Sequence, residues 1–336
     1  MIHEFLTNPD WLNPQLEYLI RLQNIRLHLG PVFDNFFLNI TKLGELLIPT
    51  LFMCIIYWCI DFEAGVYLFL LNSVGLFFSK FFKMIACVYR PWIYNSNIVP
   101  VGDAVKMAAG YSFPSGHCLM AATSWGGIAF LIRKHKILCT LIILSILLIA
   151  FSRNYVGVHT PQDVWFGVFT GLIFVFVIHY LLKWCEKDKN RYFYLMAVMN
   201  LIVIASMFYV IFKQYPADYI GGKLLVNPAK AIYISVLYAG WIMGLFNGAI
   251  LCKRFFPYNA KESSLVTRIV RGFVGALILL LIFPHFDDYL FSQIRDYKVA
   301  FSMMFCTGLF ITAIYPFIFT KIKLKKDTVK ELKSED

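Results

Sequence analysis

Residues 136–163 read Lys136-Ile-Leu-Cys-Thr-Leu-Ile-Ile-Leu-Ser-Ile-Leu-Leu-Ile-Ala-Phe-Ser-Arg153-Asn-Tyr-Val-Gly157-Val-His159-Thr160-Pro161-Gln-Asp163. The first part, from Ile137 to Phe151, is an uncharged apolar run. A helix needs about 20 such residues to cross the hydrocarbon core of a bilayer. The second part is short and polar, and a new apolar run starts at Val164. The chain therefore reads as one that leaves the membrane, makes a polar turn and enters again.

The same alternation runs outward from this stretch. Apolar runs begin near Glu45, Ala64, Cys118, Ile137, Val164, Tyr192, Ala229, Leu265 and Val299. The expected fold is all-α, a polytopic membrane helical bundle of about nine transmembrane helices. Composition agrees: 59% of the 336 residues are hydrophobic and 15% charged, against about 25% charged in a soluble domain. Residues 1–44 are expected to form an amphipathic N-terminal segment, since Leu, Ile and Phe alternate there with Arg21, Arg26, His28 and Asp34. It would lie on the membrane surface or cap the bundle. Residues 45–190 form the expected chemical core. Residues 191–336 add further spans and a basic tail.

The net charge of +11 is not a nucleic-acid signature, because the cations sit between apolar runs. Arg133, Lys134 and Lys136, then Lys183, Lys187, Lys189 and Arg191, then Lys253 and Arg254, then Lys321, Lys323, Lys325 and Lys326 fall on one side if the spans alternate. Positive loops mark the cytoplasmic side. That puts the N-terminus outside and the C-terminus inside. The long connections 83–117, 152–163 and 213–228 then lie opposite. The eight cysteines form no CxxC pair and read as small buried hydrophobes.

Two of those connections hold the chemistry. Lys83 and Arg90 are seven residues apart, which on a continuous helix is two turns and one face, a natural anion clamp. Tyr111-Ser112-Phe113-Pro114-Ser115-Gly116-His117 precedes the third span, with Pro114 suited to a first helical turn. The backbone N–H groups of Ser115 and Gly116 would then be free at a helix N-terminus, where an anion is favoured. His117 can give or take a proton near neutral pH. In the stretch quoted first, Arg153 adds a third cation. Thr160, Pro161 and Asp163 can cap the fifth span, and Asp163 can also accept a hydrogen bond from His159, leaving the other ring nitrogen free to attack. Three cations, two histidines, a carboxylate and a helix N-terminus suit phosphoryl transfer. No His, Asp or Glu cluster has metal-ligand spacing, so neither a metal nor another cofactor is expected. His285, Asp287 and Asp288 could rim a cavity but read better as a solvated loop.

Lysine, six residues, Arg-Pro; Pro-Ser-Gly-His; and Ser-Arg, five residues, His, three residues, Asp: this pattern over about 80–165 resembles the three-part signature of the type 2 phosphatidic acid phosphatase superfamily. The resemblance implies metal-independent hydrolysis in an all-helical membrane core. It implies a phosphate held by Lys83, Arg90, Ser115, Gly116 and Arg153, with His159 as nucleophile, Asp163 as its partner and His117 as general acid. The soluble acid phosphatases and haloperoxidases of that superfamily do not suit about nine spans. The topology is also similar to glucose-6-phosphatases. The expected substrate is a lipid-linked phosphate or diphosphate such as phosphatidate, phosphatidylglycerophosphate or a polyprenyl diphosphate. The alternatives are a soluble sugar phosphate and, in another class, a phospholipid carrier that binds without cleaving. The expected location is a bacterial plasma membrane with the site on the non-cytoplasmic face, or an endoplasmic reticulum membrane with a luminal site.

Overall fold

The computed structural model describes residues 2–102, 104–108, 110–282 and 296–320. His285, Asp287, Asp288 and the lysines from Lys321 onward lie outside the described residues. The helices are α1 (Ile2–Leu6), α2 (Pro9–Leu29), α3 (Pro31–Thr41), α4 (Leu47–Ile55), α5 (Phe62–Ala86), α6 (Pro91–Tyr94), α7 (Ala104–Met107), α8 (Gly116–Leu131), α9 (Lys136–Tyr155), α10 (Pro161–Glu186), α11 (Asn190–Phe212), α12 (Pro228–Phe255), α13 (Leu265–Ile282) and α14 (Tyr297–Leu309). The strands Tyr219–Ile220 and Lys223–Leu224 pair antiparallel, with Tyr219 opposite Leu224.

The protein is an all-α polytopic membrane protein. Each apolar run of the sequence meets a helix within a few residues, and the expected count of about nine spans is not confirmed. Among the described residues six helices are long and apolar enough to cross a membrane, or seven if a bent pair counts as one. That pair, Pro31–Gly44 and Leu47–Ile60, bends by 48°. α8 has 16 residues and does not reach the length of a full span.

The N-terminal segment is a cap. Leu12, Leu16, Leu19 and Leu22 recur at helical spacing along α2, and the first three pack around Ile98 of the 95–101 loop. Arg26, which a surface helix would turn to headgroups, is buried instead. Its guanidinium donates to Tyr155 O at 3.3 Å and Val99 O at 2.8 Å, with Asp34 at 4.0 Å.

Glycines decide where helices approach closely. A Cβ on Gly240, Gly244 or Gly248 of α12 would collide with the Phe301 carbonyl, the Phe305 carbonyl or the Thr312 hydroxyl. The four-residue glycine repeat thus makes an internal seam with α14 and the turn that follows it. Tyr57 Oη and Trp58 Nε1 donate to Thr312 O and Ile311 O at 2.6 and 3.0 Å, tying the same turn to the first bent span. Gly244→Leu is expected to destabilise the protein by about 1–3 kcal/mol or more, since the seam is closed by backbone that cannot yield. Thermal unfolding in detergent checks it; an unchanged midpoint would mean that the seam is loose.

A second pair of glycines positions the chemistry. A Cβ on Gly167 of α10 would come within 2.8 Å of Ser115 O, and one on Gly171 within 2.6 Å of Ala122 Cβ. Lacking those atoms, α10 lies flat against α8 and the two N-termini meet side by side.

Candidate active site

The site forms where the ends of α5, α8, α9 and α10 converge. The first motif departs from its expected geometry. α5 stops at Ala86 and Cys87 turns into the left-handed region at φ 50°, so Lys83 and Arg90 do not share a helix. Pro91 explains the rest: the residue before a proline is held extended, and Arg90 is extended at φ −77°, ψ 154°. The two cations still converge, because the reversal folds the Arg90 segment back over the site. Lys83 Nζ donates to Tyr111 O at 2.8 Å and Ser112 O at 2.6 Å, clamping the second motif. Arg90 is 5% exposed and donates to Gly110 O at 3.1 Å and Val158 O at 3.0 Å.

In the second motif the helix begins later than expected. Ser115 is the N-cap and Gly116 the first residue of α8, so Pro114 lies outside it, joined to Phe113 by a cis peptide bond. The Ser115 N–H is not free: it donates to Asp163 O at 3.0 Å. What Ser115 offers is its hydroxyl, buried and without a hydrogen-bond partner. Ser79, one turn before Lys83 on α5, places another unpartnered buried hydroxyl 3.2 Å from where a Gly116 Cβ would stand.

The third motif starts at the end of α9. Arg153 is 3% exposed; its Nη1 donates to Thr41 Oγ1 at 2.6 Å while its Nε has no partner. Gly157 at φ 75° makes the turn that presents His159, a conformation glycine adopts without strain. Asn154 Nδ2 fastens that turn by donating to His159 O at 2.9 Å. His159 is 2% exposed, with Nδ1 3.2 Å from Asp163 Oδ2 and Nε2 2.9 Å from Arg90 Nη1. Arg90 can only donate, so Nε2 is the acceptor and the ring proton sits on Nδ1, facing the carboxylate. Burial, then the charges of Arg90, Lys83 and Arg153, hold the His159 imidazole well below its ordinary pKa, so it is neutral at pH 7.

Asp163 is fully buried at the third position of α10, with Thr160 as N-cap and Pro161 first, as the sequence suggested. Its Oδ2 accepts from Thr160 N–H at 3.0 Å and from Ser112 Oγ at 2.5 Å. Ser112, which also lies 3.2 Å from His159 Nδ1, is a site residue that motif reading missed; its position two residues before Pro114 was the available signal. Thr41 and Glu45 were missed too, as they lie far from the three motifs in sequence. His117, in the first turn of α8, has Nε2 3.9 Å from Glu45 Oε1.

All eight residues expected to form the site therefore lie in one cluster. Buried polar atoms in native proteins are normally paired. Here Ser79 Oγ, Ser115 Oγ and Arg153 Nε are buried without partners. Donors of this kind beside Arg90 and Lys83 make a receptor for an oxyanion. Among the described residues no three His, Cys, Asp or Glu side chains converge as a metal site would need.

Fold and site together define a membrane-embedded helical protein whose cationic and histidine side chains cluster where four of its helices end. The chain belongs to the PAP2 superfamily: the PAP2 superfamily model matches residues 64–187, and the model for the PAP2 superfamily phosphatase transmembrane extension matches residues 236–327. A protein named undecaprenyl-diphosphatase from Sulfolobus acidocaldarius is 30% identical over 109 residues, covering 32% of this chain. The aligned part spans 50% of that relative's length. No solved structure matches.

Proposed function

We propose that this protein hydrolyses a lipid-linked phosphate or diphosphate through a phosphohistidine at His159, without a metal ion. The observation that carries the proposal is the His159 ring, buried, neutral and held with its Nδ1 proton on Asp163 beside three cations. Lys83, Arg90, Arg153, the Ser115 hydroxyl and the N-terminus of α8 at Gly116 hold the phosphoryl oxygens and neutralise their charge. His159 Nε2 attacks phosphorus, the bond to the leaving oxygen breaks, and His117 gives that oxygen its proton. Water then displaces His159 while His117 takes a proton back.

Two observations support a lipid substrate. The site lies where apolar, membrane-length helices end, and a relative is named undecaprenyl-diphosphatase. The protein is proposed to sit in a bacterial plasma membrane, or in the endoplasmic reticulum, with the site on the face opposite the basic loops.

A substrate panel in excess EDTA tests the reading. Phosphatidate, phosphatidylglycerophosphate, polyprenyl diphosphate and glucose 6-phosphate are compared on purified protein. Turnover of a lipid is expected. Turnover of the sugar phosphate alone would make the enzyme a sugar phosphatase, and binding without turnover would make it a carrier. Loss of activity in EDTA, restored by magnesium or zinc, would overturn the metal-free chemistry. For orientation, a cysteine at exposed Asn97 is expected to react with an impermeant reagent from outside intact cells, and one at exposed Lys187 to be protected. The reverse labelling would invert the topology.

A further inference from the structure

The bend between α3 and α4 does more than turn the chain. Three of its residues touch the site from outside the signature motifs. Thr41 Oγ1 accepts from Arg153 Nη1 at 2.6 Å. Gly44 is pressed onto the general acid, since a Cβ there would stand 2.9 Å from His117 O and 3.3 Å from His117 Cβ. Glu45 brings a carboxylate oxygen to 3.9 Å from His117 Nε2, with the glutamate side chain 32% exposed and the histidine side chain 19% exposed. That is ion-pair distance for a protonated ring, just beyond hydrogen-bond reach.

The charges facing His117 make this contact consequential. Burial of the ring weighs first against its charged form, and Arg153 from α9, Arg90 from the turn after α5, and Lys83 and Lys80 from α5 add to it. His159 is coupled to it as well, while the Asp163 carboxylate is engaged by Ser112, Thr160 and His159. Four cations oppose an imidazolium, yet the leaving oxygen needs a proton from one. A carboxylate against the ring works in the opposite sense.

We infer that Glu45 is the positioning residue of His117: it holds the ring by Nε2 and favours its protonated form, leaving Nδ1 to serve the leaving oxygen. This rests on His117 being the leaving-group acid. In the first half-reaction the His159 N–P bond forms, the P–O bond to the leaving group breaks and the His117 proton moves to that oxygen. In the second, neutral His117 takes a proton from the attacking water as the N–P bond breaks. Glu45 neither gives nor takes a proton in either.

The test is Glu45→Gln and Glu45→Asp in the full-length protein, each assayed across pH with an alkyl phosphate lipid and with nitrophenyl phosphate. Glu45→Gln is expected to slow the lipid by roughly 10- to 100-fold, within the range of general-acid contributions, and to slow nitrophenyl phosphate far less. The alkaline limb of its kcat profile for the lipid should move to lower pH, because the imidazolium loses its proton sooner. Glu45→Asp should restore part of both. Equal losses on the two substrates with an unshifted limb, or no loss on either, would overturn the inference. His117→Ala is run beside them: if it shows no dependence on the leaving group, the assignment of His117 itself fails and the role of Glu45 falls with it.

Discussion

His159→Ala is expected to reduce phosphate release on the order of 10⁶-fold, the scale on which a covalent mechanism loses its nucleophile. The loss should be the same for every substrate, since the attacking nitrogen is the same for all of them. The structure gives the imidazole the features of a nucleophile. It is buried, neutral at pH 7 and oriented by a carboxylate on Nδ1. Because the pKa of His159 is depressed, the neutral attacking form should persist below the ordinary histidine value of about 6.5. A loss of only about 10²–10⁴-fold would instead suit a general acid or base. Melting temperatures of variant and parent must agree for the comparison to count.

Asp163→Asn is the second large effect, expected at roughly 10³–10⁴-fold, the cost measured when an orienting carboxylate becomes an amide. Oδ2 now accepts from Ser112 Oγ and the Thr160 N–H and faces the ring Nδ1. An amide keeps these three bonds only with its carbonyl oxygen in the Oδ2 position, and even then it lacks the negative charge that stabilises the ring when it becomes cationic. If its NH₂ turns toward the ring, Nδ1 must become the acceptor, the proton moves to Nε2 and the attacking lone pair is lost. Ser112→Ala should cost far less, about 10-fold, because it removes one hydrogen bond to a charged group and leaves two donors in place. Phosphate release from matched amounts of folded protein distinguishes them. Equal losses for the two variants would mean that Asp163 acts through Ser112 rather than on the ring.

Much of this arrangement was legible in the sequence because short-range chemistry is. Apolar runs located the helices, and Thr160, Pro161 and Asp163 announced the start of α10 with its capping carboxylate. What escaped depends on one residue or on distant contacts. Seven-residue spacing put Lys83 and Arg90 on one helical face, but nothing local betrayed that Cys87 would take a left-handed conformation and reverse the chain. The Ser115 N–H was expected to be free, and only the flat packing of α10 at Gly167 brings the Asp163 carbonyl to it. Thr41 and Glu45 lie beyond the reach of any local pattern, since the 48° bend that delivers them is a tertiary feature. The span count is not settled by apolar runs alone for a physical reason: α8 is flanked by α5, α9 and α10, and a helix sheltered by its neighbours need not be long enough to face lipid over the whole bilayer.

The most direct measurement is capture of the covalent intermediate. The purified protein is mixed with a lipid diphosphate labelled in its terminal phosphate, quenched rapidly without acid, and digested for peptide mapping. The account predicts label on the peptide containing His159, stable in alkali and released by acid, formed at least as fast as turnover and absent from His159→Ala. Label on His117, or no labelled protein during rapid turnover under conditions where dephosphorylation is slowed, would contradict it.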